Sequence, residues 1–165
     1  MSGNIIPQKS HYQTLRLILG DQLNGGHSWF QTKCDDTLYL VAEMRQETDY
    51  AKHHIQKVAA FFKAMEQFAH ALNSAGYQVC YLTLDDTVHY RSLTDLIDYL
   101  INEYRISEFE YQLPDEYRLR EQLFDYADQC VVKVTAYESE HFYLSDSELH
   151  KHFQKEKRHQ MEAFY

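Results

Sequence analysis

The strongest constraint on the fold is an alternation. Five short runs rich in apolar, β-branched and aromatic residues recur along the chain, at 15–20 (LRLILG), 37–42 (TLYLVA), 78–84 (QVCYLTL), 108–112 (EFEYQ) and 131–136 (VVKVTA). Runs of this length and composition read as strands. The segments between them carry helical periodicity instead. Within 49–74, Ile55, Val58, Ala59, Phe62, Met65, Ala69 and Leu72 fall at i, i+3, i+4 spacing, and Phe61 and Phe68 widen the apolar stripe. Thr48 or Asp49 suits the start of that helix and Gly76 its exit. Residues 92–104 and 115–129 repeat the pattern, with Ser92 and Asp115 as caps, and 145–154 can start a further helix. The first connection, 21–36, lacks a convincing helix, although 27–32 fits a short one. Strands alternating with helices predict an α/β, Rossmann-like fold: a five-stranded parallel sheet with helices on both faces and right-handed crossovers. Strand orders 3-2-1-4-5 and 2-1-3-4-5 both fit, and in both the ligand lies at the carboxyl ends of the strands.

Composition narrows the class further. With 165 residues and a 44 % apolar fraction the chain can bury a full core, which excludes disordered and collagen-like classes. The expected division is an α/β domain over 1–140 followed by a connecting segment over 141–165. The longest apolar run, 58–62, is far short of the ~20 residues of a membrane-spanning helix. No signal peptide is visible, and Cys34, Cys80 and Cys130 form neither a disulfide framework nor a close-spaced metal set, so a cytoplasmic location without membrane contact is expected. The formal net charge is −9, yet residues 150–159 (HKHFQKEKRH) carry +3. Such a basic stretch reads either as a linker that meets a different partner or as a solvated helix face. The acid surplus elsewhere argues against a nucleic-acid-gripping surface, which needs clustered Lys and Arg.

The strand ends hold the residues of interest. Gly20-Asp21-Gln22-Leu23 follows the first strand; the glycine permits a tight turn and a close ligand, and Asp21 can accept from a hydroxyl or ring N–H, or cap a short helix. Neither GxGxxG nor GxxxxGK[ST] occurs, so the dinucleotide and P-loop fingerprints are absent. After the second strand, 43–50 (EMRQETDY) offers carboxylates, Arg45 and an aromatic face to a planar polar molecule; equally, Glu43 and Arg45 pair on the surface while Glu47 and Asp49 favour a helix N-terminus. His53 and His54 in the first helical turn diverge by about 100° and make poor joint metal ligands, as do His150 and His152. Asp85-Asp86 reads as a loop and cap pair; with Lys133 it faintly suggests a phosphoacceptor domain, which needs an acidic pair after the first strand where only Asp21 stands. No nucleophile, catalytic group or metal site is flagged.

The words at the strand ends are more specific than their chemistry. LRLILGDQL at 15–23, AEMRQETDYAKHHIQKVAAFFKAMEQFA at 42–69, GYQVCYLTLDD at 76–86, PDEYRLREQL at 114–123 and RHQMEAFY at 158–165 together resemble the N-terminal antenna domain of the bacterial deoxyribodipyrimidine photolyase-related proteins. That group contains the iron–sulfur bacterial cryptochromes and the prokaryotic (6-4) photolyases. The resemblance implies an α/β domain binding 6,7-dimethyl-8-ribityllumazine, a light-harvesting pigment, followed by a helical domain holding FAD and a 4Fe-4S cluster. In that family the flavin domain repairs damaged DNA by photoinduced electron transfer, a lyase activity, or signals. This chain ends where the helical domain is expected to start, so the FAD pocket, the cluster cysteines and the DNA-facing surface are expected outside it. The helical domain would be the direct partner, and DNA a partner of the whole flavoprotein alone. Matching the motifs position by position implies pigment contacts from Gly20, Asp21, Ala42, Glu43, Met44, Glu47 and Tyr50. Glu47 is the leading acceptor for ribityl hydroxyls, and Ala42 stands where the family often has cysteine. Two other readings are an inter-domain interaction module and a nucleotide-binding, adenylating Rossmann-like enzyme.

Overall fold

In a sheet buried on both sides, successive residues of one strand must serve two different cores. The central strands do this throughout. The computed structural model describes residues 3–46 and 54–153, and within them five strands run Thr14–Leu17 (β1), Thr37–Ala42 (β2), Gln78–Leu82 (β3), Glu108–Gln112 (β4) and Lys133–Tyr137 (β5). Every residue of β2 is buried: Leu38, Leu40 and Ala42 enter one core, Tyr39 and Val41 the other. The helices are Ile55–Ser74 (α1), Leu84–Thr87 (α2), Leu93–Glu103 (α3), Tyr117–Gln129 (α4) and Asp146–His152 (α5), with a 3₁₀ turn at Ser28–Phe30. Phe62, Met65, Ala69 and Leu72 of α1 pack with Trp29 of the 3₁₀ turn on the Tyr39 side. Leu93, Leu96, Ile97, Leu100 and Ile101 of α3 and Leu123 of α4 pack on the Leu38 side. The sheet is therefore covered on both faces, as the alternation predicts.

The strand order is β3-β2-β1-β4-β5, and every neighbouring pair is parallel. This selects the first of the two orders. It follows that the chain reverses its direction of travel between β1 and β4, the position where a doubly wound sheet opens a crevice. Among the described residues no helix is long and apolar enough to cross a membrane.

Several boundaries differ from expectation, each for a local reason. β1 ends at Leu17, where its pairings with both β2 and β4 stop, and Ile18 N donates to Leu40 O at 2.9 Å to close the last pair with β2. β3 stops at Leu82 because Thr83 caps α2, where Thr83 and Asp86 form a reciprocal capping box. Asp86 is thus a cap, as the loop-and-cap reading had it. Position 54 is not in the first turn of α1: His54 is its N-cap and accepts from Gln56 N. Thr48, Asp49 and His53 lie outside the described residues. At α4 the cap is Glu116, not Asp115, since Glu116 accepts from Leu119 N. Ser92 and Ser145 cap α3 and α5 as expected.

One polar group sits inside the α1-side core. Arg16 Nε donates to Glu110 Oε2 at 2.7 Å, and its guanidinium also donates to the Tyr39 hydroxyl and to Trp29 O. The guanidinium lies 5.0 Å from the Trp29 ring centroid, a cation–π distance. The Tyr137 hydroxyl donates to the other Glu110 oxygen at 3.1 Å, so both carboxylate oxygens are engaged. The pair ties β1 to β4 just below the place where they separate.

Candidate functional site

Two glutamine side chains shape the mouth between β1 and β4. Gln22, 1 % exposed, accepts from Leu19 N through Oε1 and donates through Nε2 to Gln112 O at 3.2 Å and toward Leu113 O. It pins the exit of β1 to the exit of β4 by the backbone groups that strand pairing leaves free. Gln46, beyond β2, accepts from Leu93 N at 3.0 Å and donates to Gln122 of α4 at 3.3 Å. Neither glutamine is predicted by local pattern, since each acts through partners far along the chain.

Above these ties opens a crevice of about 320 Å³. Leu19, Gly20 and Asp21 line it from the turn after β1, Gln46 from beyond β2, Phe61 from α1, and Glu116, Arg118, Leu119 and Gln122 from the cap and first turns of α4. It lies at the reversal point of the sheet, where a ligand is expected. Its apolar surface comes from Leu19, Phe61 and Leu119, its polar groups from Asp21, Gln46, Gln122 and the Glu116–Arg118 pair.

Gly20 is required by space rather than by backbone conformation. A Cβ there would lie 2.2 Å from Phe61 Cζ and 2.9 Å from Met65 Sδ. The close neighbour that the glycine admits is thus α1 itself, and Phe61 owes its place in the crevice wall to the missing side chain. Asp21 is exposed as a residue, yet its carboxyl lies above the ordinary range. Desolvation is the leading cause, the charges of Asp115 and Glu116 add to it, and the Asp21 backbone and His141 oppose it. At Glu116 desolvation is outweighed by the hydrogen bonds from Arg118 and Leu119 N, and the carboxyl lies below its ordinary value.

The other predicted positions are placed differently. Ala42 and Met44 are buried in the α3-side core and do not line the crevice. Glu43 is buried rather than paired with Arg45 at the surface: Tyr81 donates its hydroxyl to Oε1 at 2.5 Å and Leu84 N donates to Oε2 at 3.0 Å. Thr87 also donates to Glu43 O. The carboxylate therefore joins β2, β3 and α2, and both its oxygens are occupied. Glu47 and Tyr50 lie outside the described residues. Of the predicted set, the structure brings Gly20 and Asp21 together at the crevice. Phe61, Gln46 and the start of α4 join them; PDEYRLREQL marked the last of these in the sequence without giving it a role.

Burial pushes the Cys80 thiol up to about 12, so it stays protonated within the sheet. Among the described residues no group of three His, Cys, Asp or Glu is placed to hold a metal ion. The arrangement is an apolar slot with hydrogen-bonding groups on both walls.

Fold and crevice define a doubly wound α/β domain with an open crevice at the β1/β4 reversal. The profile of the deoxyribodipyrimidine photo-lyase-related proteins matches residues 16–165, and the chain belongs to that family. It is also similar to a (6-4) photolyase of Agrobacterium fabrum (strain C58 / ATCC 33970), with 32 % identity over 153 residues. The matched stretch covers 92 % of this chain and 30 % of the relative, so the chain corresponds to less than a third of that protein's length.

Proposed function

We propose that this chain is a light-harvesting, chromophore-binding domain of a photolyase-related protein, and that the crevice at the β1/β4 reversal holds a ribityl pigment, 6,7-dimethyl-8-ribityllumazine. The crevice carries this reading. Its volume of about 320 Å³ is of the order of one fused bicyclic ring with a short polyol. Phe61 and Leu119 offer apolar walls to a flat ring, while Asp21 and Gln122 offer partners to hydroxyls. Glu47 and Tyr50 are proposed to complete the polyol end. Residues 141–165 are proposed to lead toward a helical domain that carries FAD and a 4Fe-4S cluster, where excitation is used on damaged DNA or in signalling.

The chain's lone tryptophan, Trp29, is buried, and the pigment's own emission is the direct probe. Titrating the lumazine into the protein should quench and polarise that emission, with saturation at one per chain. Asp21→Ala should weaken binding by roughly tenfold, the loss of one charged hydrogen-bond acceptor, and Glu47→Ala should weaken it as well. Binding should also fall on acidification, beginning at a higher pH than an ordinary aspartate would give, because the ionised carboxylate is the stronger acceptor and the Asp21 carboxyl is raised. No saturable binding, or binding indifferent to Asp21, would sink the reading.

A second reading has its own observation. Tyr117 and Phe124, two turns apart on α4, are 71 % and 60 % exposed, and Phe142 beyond β5 is 69 % exposed. These aromatics are proposed as a docking face for the rest of the longer protein. Association with a separately expressed C-terminal portion, lost in Phe124→Ser, tests it.

A further inference from the structure

Doubly wound sheets have two usual seats for a phosphate group: the glycine-rich turn after the first strand, and the N-terminus of a helix that starts at the crevice. Both are closed here. The turn after β1 offers a single glycine, and Phe61 fills the space it leaves. The helix end is α4, thirteen residues long, whose first turn lines the crevice.

That helix begins with an unusual cap. Short side chains, Ser, Thr, Asp and Asn, are the favoured N-caps. Glu116 is longer and folds back over the end of its own helix. Its Oε2 accepts from Leu119 N at 3.1 Å, and its Oε1 accepts from Arg118 Nε at 2.7 Å. One backbone donor at a helix N-terminus and one guanidinium are the partners a phosphate would seek. The protein's own carboxylate already holds them. Asp21 faces the same crevice, and Asp115 stands one residue before the cap, itself bonded to His141 at 2.9 Å. An incoming phosphate would meet the carboxylates of Asp21 and Glu116 in the crevice wall and find the nearest donors occupied.

We propose that Glu116 is an internal anion seated where this fold would bind phosphate, and that it makes the crevice selective for ligands without a phosphate group. The consequence for the pigment is that the free polyol is taken and its 5′-phosphate ester, with nearly two negative charges at neutral pH, is refused. The same feature tells against an adenylating enzyme of this fold. For its choice of pigment as probe the inference rests on the proposed function above; the plugged helix end itself does not.

Two measurements on the full chain separate these. In the first, the lumazine and its 5′-phosphomonoester are titrated into wild type and Glu116→Ser, the serine preserving a favourable cap. Wild type should prefer the free pigment by at least about tenfold, since like charges brought together cost on the order of 1 kcal/mol or more. The preference should shrink to a few-fold in Glu116→Ser and in high salt, which screens charge but leaves shape unchanged. In the second, inorganic phosphate is added while the Leu119 amide is followed by NMR. It should not move in wild type and should shift in Glu116→Ser. Equal affinity for the two pigments in wild type, or a wild-type Leu119 amide that titrates with phosphate, overturns the proposal. If neither pigment binds while the amide behaves as expected, the plug stands and the pigment reading falls. A Glu116→Gln variant, which keeps an acceptor oxygen but no charge, shows whether charge or shape is responsible.

Discussion

Gly20 is held to its identity by the space around it. Because a Cβ at position 20 would collide with Phe61 and Met65, Gly20→Ala must push the Phe61 ring, whose far end is the closest atom. A half-buried phenylalanine can swing, and the direction open to it is the crevice. The expected result is a split: a loss of about 1 kcal/mol of stability and a disproportionate loss of pigment binding, seen by comparing urea denaturation with the fluorescence titration. The Arg16–Glu110 pair makes a second prediction. Breaking a largely buried ion pair from one side strands the other charge. Arg16→Met should therefore cost about 3 kcal/mol, and adding Glu110→Leu should recover more than half of it. A double substitution no better than the single one would mean that Arg16 acts through its contacts with Trp29 and Tyr39 instead.

At the scale of elements, α1 ends on a motif that can be tested by itself. Gly76 has φ +88°, Gly76 N donates to Asn73 O and Tyr77 N to Leu72 O, the two bonds of a Schellman ending. Gly76→Ala should cost about 1 kcal/mol, read as a shift in the urea midpoint with an unchanged slope. This ending was legible from the glycine alone, as β2 was legible residue by residue from TLYLVA. Where information was local, the sequence sufficed. β5 starts two residues later than expected and ends one later, because Val131 is apolar yet 86 % exposed and the strand starts where Lys133 meets Glu108 in register. The choice between two strand orders lay beyond local pattern for the same reason, resting on pairings such as Leu17 with Tyr111. The candidate site divides likewise. Gly20 and Asp21 stand at a strand end and could be found; Phe61 and Glu116 reach the crevice from helices some 40 and 95 positions further on, through packing no periodicity encodes.

Taken whole, the molecule is built on tyrosine. Of its fourteen, Tyr39, Tyr81, Tyr90, Tyr104, Tyr111, Tyr126 and Tyr137 hold their hydroxyls above the ordinary phenol range, with burial the leading cause in each. Tyr104 reaches about 12, as does the Cys80 thiol. An unfolded chain gives up its thiol protons near pH 8.5 and its phenol protons near pH 10, while the native chain keeps them. The unfolded state then binds fewer protons, so stability is full below about pH 8.5 and falls as pH rises. Melting temperature should be level to about pH 9 and then drop steeply. Tyrosinate absorbance from the buried set should rise with unfolding rather than ahead of it; a smooth phenol titration with an unchanged melting temperature would refute this. The two margins of the sheet differ in another respect. Outside β3, Ile5 forms an antiparallel bridge to Tyr81, exchanging two backbone hydrogen bonds of 3.0 and 2.9 Å. That small clasp stops the sheet from growing on its β3 side. Trimming the first seven residues would leave bare main-chain groups along the β3 margin, and the trimmed chain should then self-associate edge to edge, read as a larger hydrodynamic size and loss of solubility.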